Sequence, residues 1–338
     1  MGGNLFKDKG GRRITEDELI KTVKDIRYSF NRIFNAEKSS NIFEIPHYIA
    51  DKKDFGDIDI LMDIDLKERF LIYFPRSEYV VVNGDVVSFL WKSMIQVDVI
   101  FLPRDVLDFA HGYFSYNDLG NLIGRIAHKM GMKFGHDGLH LPVRDGTNML
   151  GVIRLTRTFS EAIEFLGYSF ELWNEGFENR EAVFRYVSGH PRFSPRIYLL
   201  DNRNHAARVR DRKRPTYTAF LEWIDEKRGY LNDFCWEKHP KESFLPEIFA
   251  EFPHAQVEHA ALWTERNRAI QAKEQYPMVR IGELLNIEGK ELGKFITAFK
   301  EKHGDMVDYI HANTVESIDK DVLEFEKEMK NAANEKAV

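Results

Sequence analysis

The segment 55–63, FGDIDILMD, sets two aspartates one residue apart in a short apolar run, and a third, Asp98, lies inside another apolar run, MIQVDVIFLP. Residues i and i+2 of a β-strand project to the same face, so Asp57 and Asp59 stand side by side while Ile58 and Ile60 turn into the core. Asp98 is flanked by Ile95, Val97, Val99, Ile100 and Phe101. An unpaired carboxylate there is costly unless a metal or another cation meets it. The pattern predicts two neighbouring strands whose acids share one face, a cage of hard oxygen ligands suited to Mg²⁺ or Mn²⁺. The competing reading is that these are structural acids, the D-x-D being a solvated turn at a strand end.

Around these strands the periodicity predicts an α+β fold, a small mixed sheet backed by helices. Thr15 with Glu18 three residues later forms a capping box before a helix to about Phe34, whose apolar face is Leu19, Val23, Ile26, Phe30 and Ile33. Strands are expected at 58–62, 79–82, 86–91 and 95–102, with a helical stretch around 65–73 and a two-residue hairpin turn at Asn83-Gly84. A helix from Ser115 to about Gly131 precedes a glycine-rich, hairpin-like segment to Gly146. Beyond Gly151 the chain reads as mostly helical. Ser160 is expected to cap EAIEFLGYSFELW, further helices are expected at 181–187 and 216–228, and the tail after Ile318 reads as a fraying surface helix.

The acids, their order and the aromatic-rich segment after them resemble the palm and thumb of family X DNA polymerases, the polymerase β-like group of the nucleotidyltransferase superfamily. GDIDILM and QVDVIFLPRD fit the palm pattern of G-D-x-D-h, with h apolar, and a later aspartate in a strand ending near a proline. YFSYNDLGNLIGRIAHKMGMKFGHDGL fits the start of the thumb, with Tyr113, Phe114, Asp118, Asn121 and Arg125 at the family's intervals. The likeness covers 40 to about 142, less than half the chain.

This resemblance implies a polymerase β-like nucleotidyltransferase palm with its thumb. The N-terminal helix and palm would occupy 1–104, a thumb-like region 105–150, and a mainly helical, nucleic-acid-binding region 151–338. The implied activity is transfer of a nucleotide from a nucleoside triphosphate (NTP or dNTP) to a DNA or RNA 3′-hydroxyl. Asp57, Asp59 and Asp98 would hold two divalent ions about 4 Å apart, with Asp98 nearest the primer end. Gly56 would lie at the nucleotide, Tyr113 and Phe114 along its sugar, Asp118 against its base and Asn121 at its minor-groove edge, and Arg125 would touch the template. Independently, Asp118, Asn121 and Arg125 fall on one helical face. The alternative for that face is a solvated polar stripe opposite Leu119, Leu122, Ile123 and Ile126.

The departures are informative. Pro46 and His47 replace the family's Gly-Ser, Ala50 stands where an arginine would contact the triphosphate, and Tyr116 and Asn117 replace a Gly-Ser turn in the thumb. Lys52 and Lys53, in the same loop as Ala50, could supply the missing charge as point charges rather than a bidentate fork. The stretch before the palm is too short for the family's lyase and helix-hairpin-helix modules, so lyase activity is not expected.

In 203–217, RNHAARVRDRKRPTY, Arg203, Arg208, Arg210, Arg212, Lys213 and Arg214 are opposed only by Asp211. The segment reads as a patch tracking nucleic-acid phosphates, or as a solvated basic helix face. In 277–304, Gly282, Gly289 and Gly293 stand among Leu285, Leu292 and Phe295. That rhythm faintly resembles the C-terminal helical module of tRNA nucleotidyltransferases and poly(A) polymerases, which leaves RNA-end transfer as a second reading. A third is a nucleic-acid-binding protein whose transferase centre has decayed.

A net charge of −6 argues against a uniformly basic nucleic-acid binder but permits a local positive groove. At 338 residues and 43% hydrophobic, two domains with ample core are expected. The single cysteine, Cys235, excludes an internal disulfide and fits a reducing compartment. His136 and His140 read as turn residues rather than zinc ligands. Apolar runs are strand length and the N-terminus lacks a signal-type apolar core, so the expectation is a cytoplasmic or otherwise intracellular protein with no membrane partner, the nucleus included. No motif fixes nucleotide choice or oligomeric state.

Overall fold

The computed structural model describes residues 5–34, 42–73, 79–92 and 94–335. The chain enters through β1 (Ile14–Thr15) and α1 (Glu16–Phe34). The Thr15 amide donates to Glu18 Oε2 at 3.0 Å and the Glu18 amide to Thr15 Oγ1 at 3.4 Å. This is the expected capping box, and it satisfies amides that a helix start leaves open. Leu19, Ile26 and Phe30 are buried, with Val23 and Ile33 packed against the same core.

Next come β2 (Phe43–Glu44), β3 (Asp54–Phe55), β4 (Asp57–Asp63), α2 (Lys67–Tyr73), β5 (Val80–Asn83), β6 (Val86–Leu90) and β7 (Gln96–Leu102). β1 pairs with β3, and the other strands form a five-stranded sheet of order β2-β4-β7-β6-β5. β4 and β7 run parallel while the remaining pairs are antiparallel, so the sheet is mixed, as expected. Parallel neighbours need a long crossover, supplied here by α2, β5 and β6. One face of the sheet presents Ile58, Ile60, Met62, Val97, Val99 and Phe101 to Phe30 of α1 and Phe70 of α2. Phe30 meets Phe43 and Phe70 edge-on, each at 5.5 Å between centroids.

The hairpin turn is displaced by one residue from Asn83-Gly84. Asn83 pairs with Val86 as the last strand position, leaving Gly84 and Asp85 as the loop, with Gly84 at φ 58°. Glycine takes that left-handed conformation at the first loop position without steric cost.

α3 (Leu107–Phe114), α4 (Leu119–Lys129), β8 (Lys133–Gly135), β9 (Gly138–Asp145) and β10 (Asn148–Thr156) come after β7, the last three as a sheet. The helix expected from Ser115 begins only at Leu119. Tyr116 and Asn117 lie at φ 58° and 62°, left-handed values that a right-handed helix cannot contain. β10 carries extended chain past Gly151, into the region expected to be mostly helical.

The rest is helical: α5 (Phe159–Phe165), α6 (Phe170–Glu175), α7 (Arg180–Ser188), α8 (His205–Arg212), α9 (Pro215–Lys227), α10 (Leu245–Glu251), α11 (Pro253–Gln275), α12 (Val279–Leu285), α13 (Gly289–His303), α14 (Met306–Ala312) and α15 (Val315–Glu335). Thr158, not Ser160, occupies the cap position of α5. Gly167, at φ 86°, splits the expected single helix, and α6 starts afresh where Ser169 Oγ accepts the Leu172 amide at 3.1 Å. The tail after Ile318 is a largely exposed helix, as expected, but one stripe of it, Val322 and Phe325 with Ile318, is buried against Phe295 and Phe299 of α13. Its last residues, 336–338, lie outside the described residues.

By internal contacts the chain forms two compact units, Met1–Pro142 with Val152–Ala255, and Val143–Gly151 with Gln256–Val338. No helix among the described residues is long and apolar enough to cross a membrane. Because Phe30 is fully buried between sheet and helices, Phe30→Ala should cost about 3–5 kcal/mol. A urea unfolding curve would show this as a lower midpoint, and an unchanged midpoint would mean that α1 does not pack on the sheet.

Candidate metal centre

In the parallel ladder Asp59 stands opposite Asp98 and Asp57 opposite Gln96. The pleat turns these four side chains to the face away from Phe30 and Phe70. Asp57, Asp59 and Asp98 each offer a carboxylate oxygen, and the three oxygens lie within 4.8 Å of one another. Asp98 is 3% exposed, and the other two are half-buried.

Asp98 is held in place from two sides. Gln96 Nε2 donates to its Oδ1 at 3.0 Å and its Oδ2 at 2.9 Å. The opposite end of that amide, Oε1, accepts the Leu5 amide at 3.0 Å, which fixes the orientation of Gln96. Ser88, opposite Asp98 on β6, hydrogen-bonds to the same carboxylate. Sequence reasoning missed both residues. Gln96 is detectable, since it precedes Asp98 by two positions and must share its face; Ser88 requires the β6–β7 register, which spacing does not supply.

Burial, then the neighbouring charges of Asp57 and Asp98, push the Asp59 carboxyl up to about 7. Burial also raises Asp98, opposed by its hydrogen bonds from Ser88 and Gln96. Lys52 acts on this cluster: burial lowers its ammonium, while Asp57 and Asp59 pull it the other way. Its Nζ lies over the rings of Tyr48 and Phe55, at 4.3 Å and 4.8 Å from their centroids. Arg13, whose charge also interacts with Asp57, is bonded to Asp54. Close, buried carboxylates that repel one another form a hard, anionic oxygen set, and a divalent cation fits it.

The loop before β4 is pinned at both ends. The Ala50 and Asp51 amides donate to the carbonyls of Phe177 and Glu178, each at 2.9 Å, and Phe55 pairs with Ile14. Gly56 is buried at the turn into β4, and Lys53 is exposed. His47 stacks on Tyr116 at 5.7 Å and its amide donates to Ser115 Oγ at 2.9 Å, so this part of the loop is tied to the turn between α3 and α4.

Beyond the acids the same face becomes apolar. Leu61 and Leu102 pack with Val106 and Ala110, and Phe114 joins them, so α3 lies on the acid-bearing face of the sheet. The rings of Tyr113 and Phe114 meet edge-on at 5.4 Å, and His136 stacks on Phe114 at 5.8 Å. A Cβ at Gly120 would come within 2.3 Å of the Tyr113 carbonyl oxygen, so glycine is what lets α4 close on α3.

Asp118 is half-buried and ion-paired with Arg214. Arg210 and Arg214 both act on the Tyr113 phenol, which groups Tyr113, Asp118, Arg210 and Arg214. Asn121 Nδ2 is buried without a hydrogen-bond partner among the described residues. Arg125 is committed elsewhere, donating from Nε and Nη2 to the Ile197 carbonyl at 3.1 Å and 2.9 Å. Arg203 is buried against Asp211 at 3.0 Å and donates to Tyr217 Oη at 3.0 Å. Arg208 donates to the Arg203 carbonyl at 3.3 Å. Arg210, Arg212 and Lys213 are exposed, Arg210 touching Asp211 at 3.2 Å.

No protein-family model matches the chain, and no curated protein matches it.

The raised Asp59 carboxyl has a measurable consequence. Its folded value of about 7 lies above the ordinary value of about 3.9 in an unfolded chain. The folded state therefore holds a proton that the unfolded state releases, and stability falls as pH rises from about 4 to about 7. A divalent cation bound among these carboxylates would take the place of that proton. Thermal unfolding without divalent ions should show the midpoint dropping across this window, and millimolar Mg²⁺ should restore it more strongly at the alkaline end. Asp59→Asn should flatten the drop and abolish the Mg²⁺ effect; a midpoint equally insensitive to pH and Mg²⁺ in the unaltered protein would dismiss the metal centre.

Proposed function

We propose that this protein is a metal-dependent nucleotidyltransferase that joins a nucleotide from a nucleoside triphosphate to the 3′-hydroxyl of a nucleic acid, most like a family X DNA polymerase with a polymerase β-like palm. The observation that carries the proposal is the convergence of Asp57, Asp59 and Asp98 on one face of the β4–β7 pair. Two divalent cations held there would supply positive charge to the attacking hydroxyl and to the departing pyrophosphate. Asp98, steadied by Gln96 and Ser88, keeps one fixed carboxylate toward the reacting end. Lys52 and Lys53 offer positive charge to the triphosphate from the pinned loop, which has only a methyl group at Ala50. Tyr113 and Phe114 form an aromatic wall suited to a sugar, and Asn121 keeps an unused amide donor on the α4 face that also bears Asp118. Arg210, Arg212 and Lys213 present exposed charge for a phosphate backbone.

A second reading, non-templated addition to an RNA end, draws support from Arg125. Both of its bonds go to the Ile197 carbonyl, so the residue that the family resemblance would aim at a template is occupied within the protein.

One experiment separates the readings. Purified protein, Mg²⁺ or Mn²⁺ and labelled nucleotides are incubated with a primed DNA, a single-stranded RNA or a tRNA, and products are resolved on a gel. DNA extension directed by the template supports the first reading, and extension of RNA ends supports the second. Binding without extension would leave a nucleic-acid-binding protein with an inactive centre. Asp98→Ala should lower extension by at least about 100-fold, with nucleic-acid binding nearly unchanged; surviving extension would remove Asp98 from the metal set.

Neutralising Arg210, Arg212 and Lys213 together should reduce the slope of log affinity against log salt by roughly two to three. Fluorescence anisotropy with a labelled oligonucleotide reads this directly, and an unchanged slope would return the segment to an ordinary solvated surface.

A further inference from the structure

We propose that Lys52, seated on the rings of Tyr48 and Phe55, is a counter-cation of the acid cluster that opposes entry of a divalent cation alone and serves the triphosphate when cation and nucleotide are both bound. This rests on the nucleotidyltransferase reading and adds to it a regulation of cation entry.

The geometry sets Lys52 apart from the other cations nearby. Arg13 is engaged by Asp54, and Lys53 is exposed to solvent. Lys52 alone of the loop lysines is half-buried, with its ammonium over two aromatic rings. Aromatic faces attract an ammonium without consuming its donors. Burial disfavours the Lys52 ammonium there, and the charges of Asp57 and Asp59 act against that effect, an influence that Lys52 returns on Asp59. Tyr48 Oη is buried with no hydrogen-bond partner among the described residues, so the ring serves as a platform rather than as a link in a polar network.

The backbone beneath Lys52 cannot swing freely. Ala50 and Asp51 are bonded to Phe177 and Glu178, and Phe55 is laddered to Ile14. Movement is confined to the four-carbon stem. Before a divalent cation arrives, the carboxylates attract the ammonium. With two such cations among them, the local charge would become positive and the ammonium would be repelled. A bound triphosphate then offers the nearest concentration of negative charge. Lys52 would therefore oppose binding of the divalent cation alone and favour binding of the cation with nucleotide, which couples the two ligands in order.

Titration calorimetry with Mn²⁺ alone, and then with Mn²⁺ and a non-hydrolysable nucleoside triphosphate, tests this on the full chain. Lys52→Met keeps the apolar stem against both rings and removes the charge. It should bind Mn²⁺ alone roughly fivefold to tenfold more tightly than the unaltered protein at low salt, with the gap narrowing at high salt. The same variant should bind the triphosphate more weakly by a similar factor, and Lys52→Arg should return both affinities toward the starting values. An Mn²⁺ affinity that is unchanged or weaker in Lys52→Met overturns the proposal. If that variant fails to fold, Lys52→Gln reads the same two affinities with a neutral side chain. The outcome is separable from failure of the site as a whole: should the unaltered protein and Asp98→Ala both ignore Mn²⁺, the metal centre itself is wrong, whereas tight binding by the unaltered protein without tightening in Lys52→Met rejects only the role of Lys52.

Discussion

The parallel pairing of β4 with β7 is the constraint on which the rest depends. Adjacent strands lie about 4.8 Å apart, so two carboxylates at opposed positions have no room to avoid one another. Asp59 and Asp98 occupy such positions, with Asp57 one pleat away on the same side. Left to themselves they would push the strands apart. What resists is the other face, where Ile58, Ile60, Val97 and Val99 are fully buried beneath Phe30 and Phe70. Burial of an aliphatic side chain contributes about 1.5–3 kcal/mol, and several act together here. A dry core on one side thereby sustains an electrostatic conflict on the other.

The same trade decides which basic residues remain free to meet a ligand. Arg203 belongs to the most basic stretch of the chain, yet it lies 7% exposed beside a fully buried Asp211. There it joins helix to helix. Arg125 closes on a backbone carbonyl, and Arg214 answers a half-buried Asp118. Arg210 and Arg212 do carry their charge to the surface, Arg210 while touching Asp211. Density of arginine in a sequence thus overstates the charge available to a polyanion.

How much of this could be read beforehand varies with the physics involved. The acid pair and its apolar partners are legible because a strand's alternation is strict: knowing that Asp57 and Asp59 face one way fixes Ile58 and Ile60. Thr15 and Glu18 are legible because a capping box is local. The α+β layout comes from the same periodicities. The turn at Gly84 is off by one, since Asn-Gly and Gly-Asp satisfy similar backbone demands and only strand register separates them. The left-handed pair Tyr116 and Asn117 gives no local warning. Tyr116 is kept in that strained conformation by tertiary contacts, stacked on His47 and edge-on to Trp173 and Phe177, residues far away in the chain. Ser88 and the caging of Lys52 likewise depend on register and long-range packing, which composition does not encode. The burial of Ile318 and Val322 was hidden by the charged residues between them, although their four-residue spacing is that of a helix face.

The alternation of β4 has one more consequence. Sliding that strand by a single residue along its neighbours would exchange every side chain between the two faces. Three aspartates, Asp57, Asp59 and Asp63, would be driven among phenylalanines, and a row of isoleucines would meet water. Such a slip is forbidden by the cost of misplaced oil and charge together, so the spacing of the carboxylates inherits the precision of the core behind them. The centre needs no rigid loop to keep its shape.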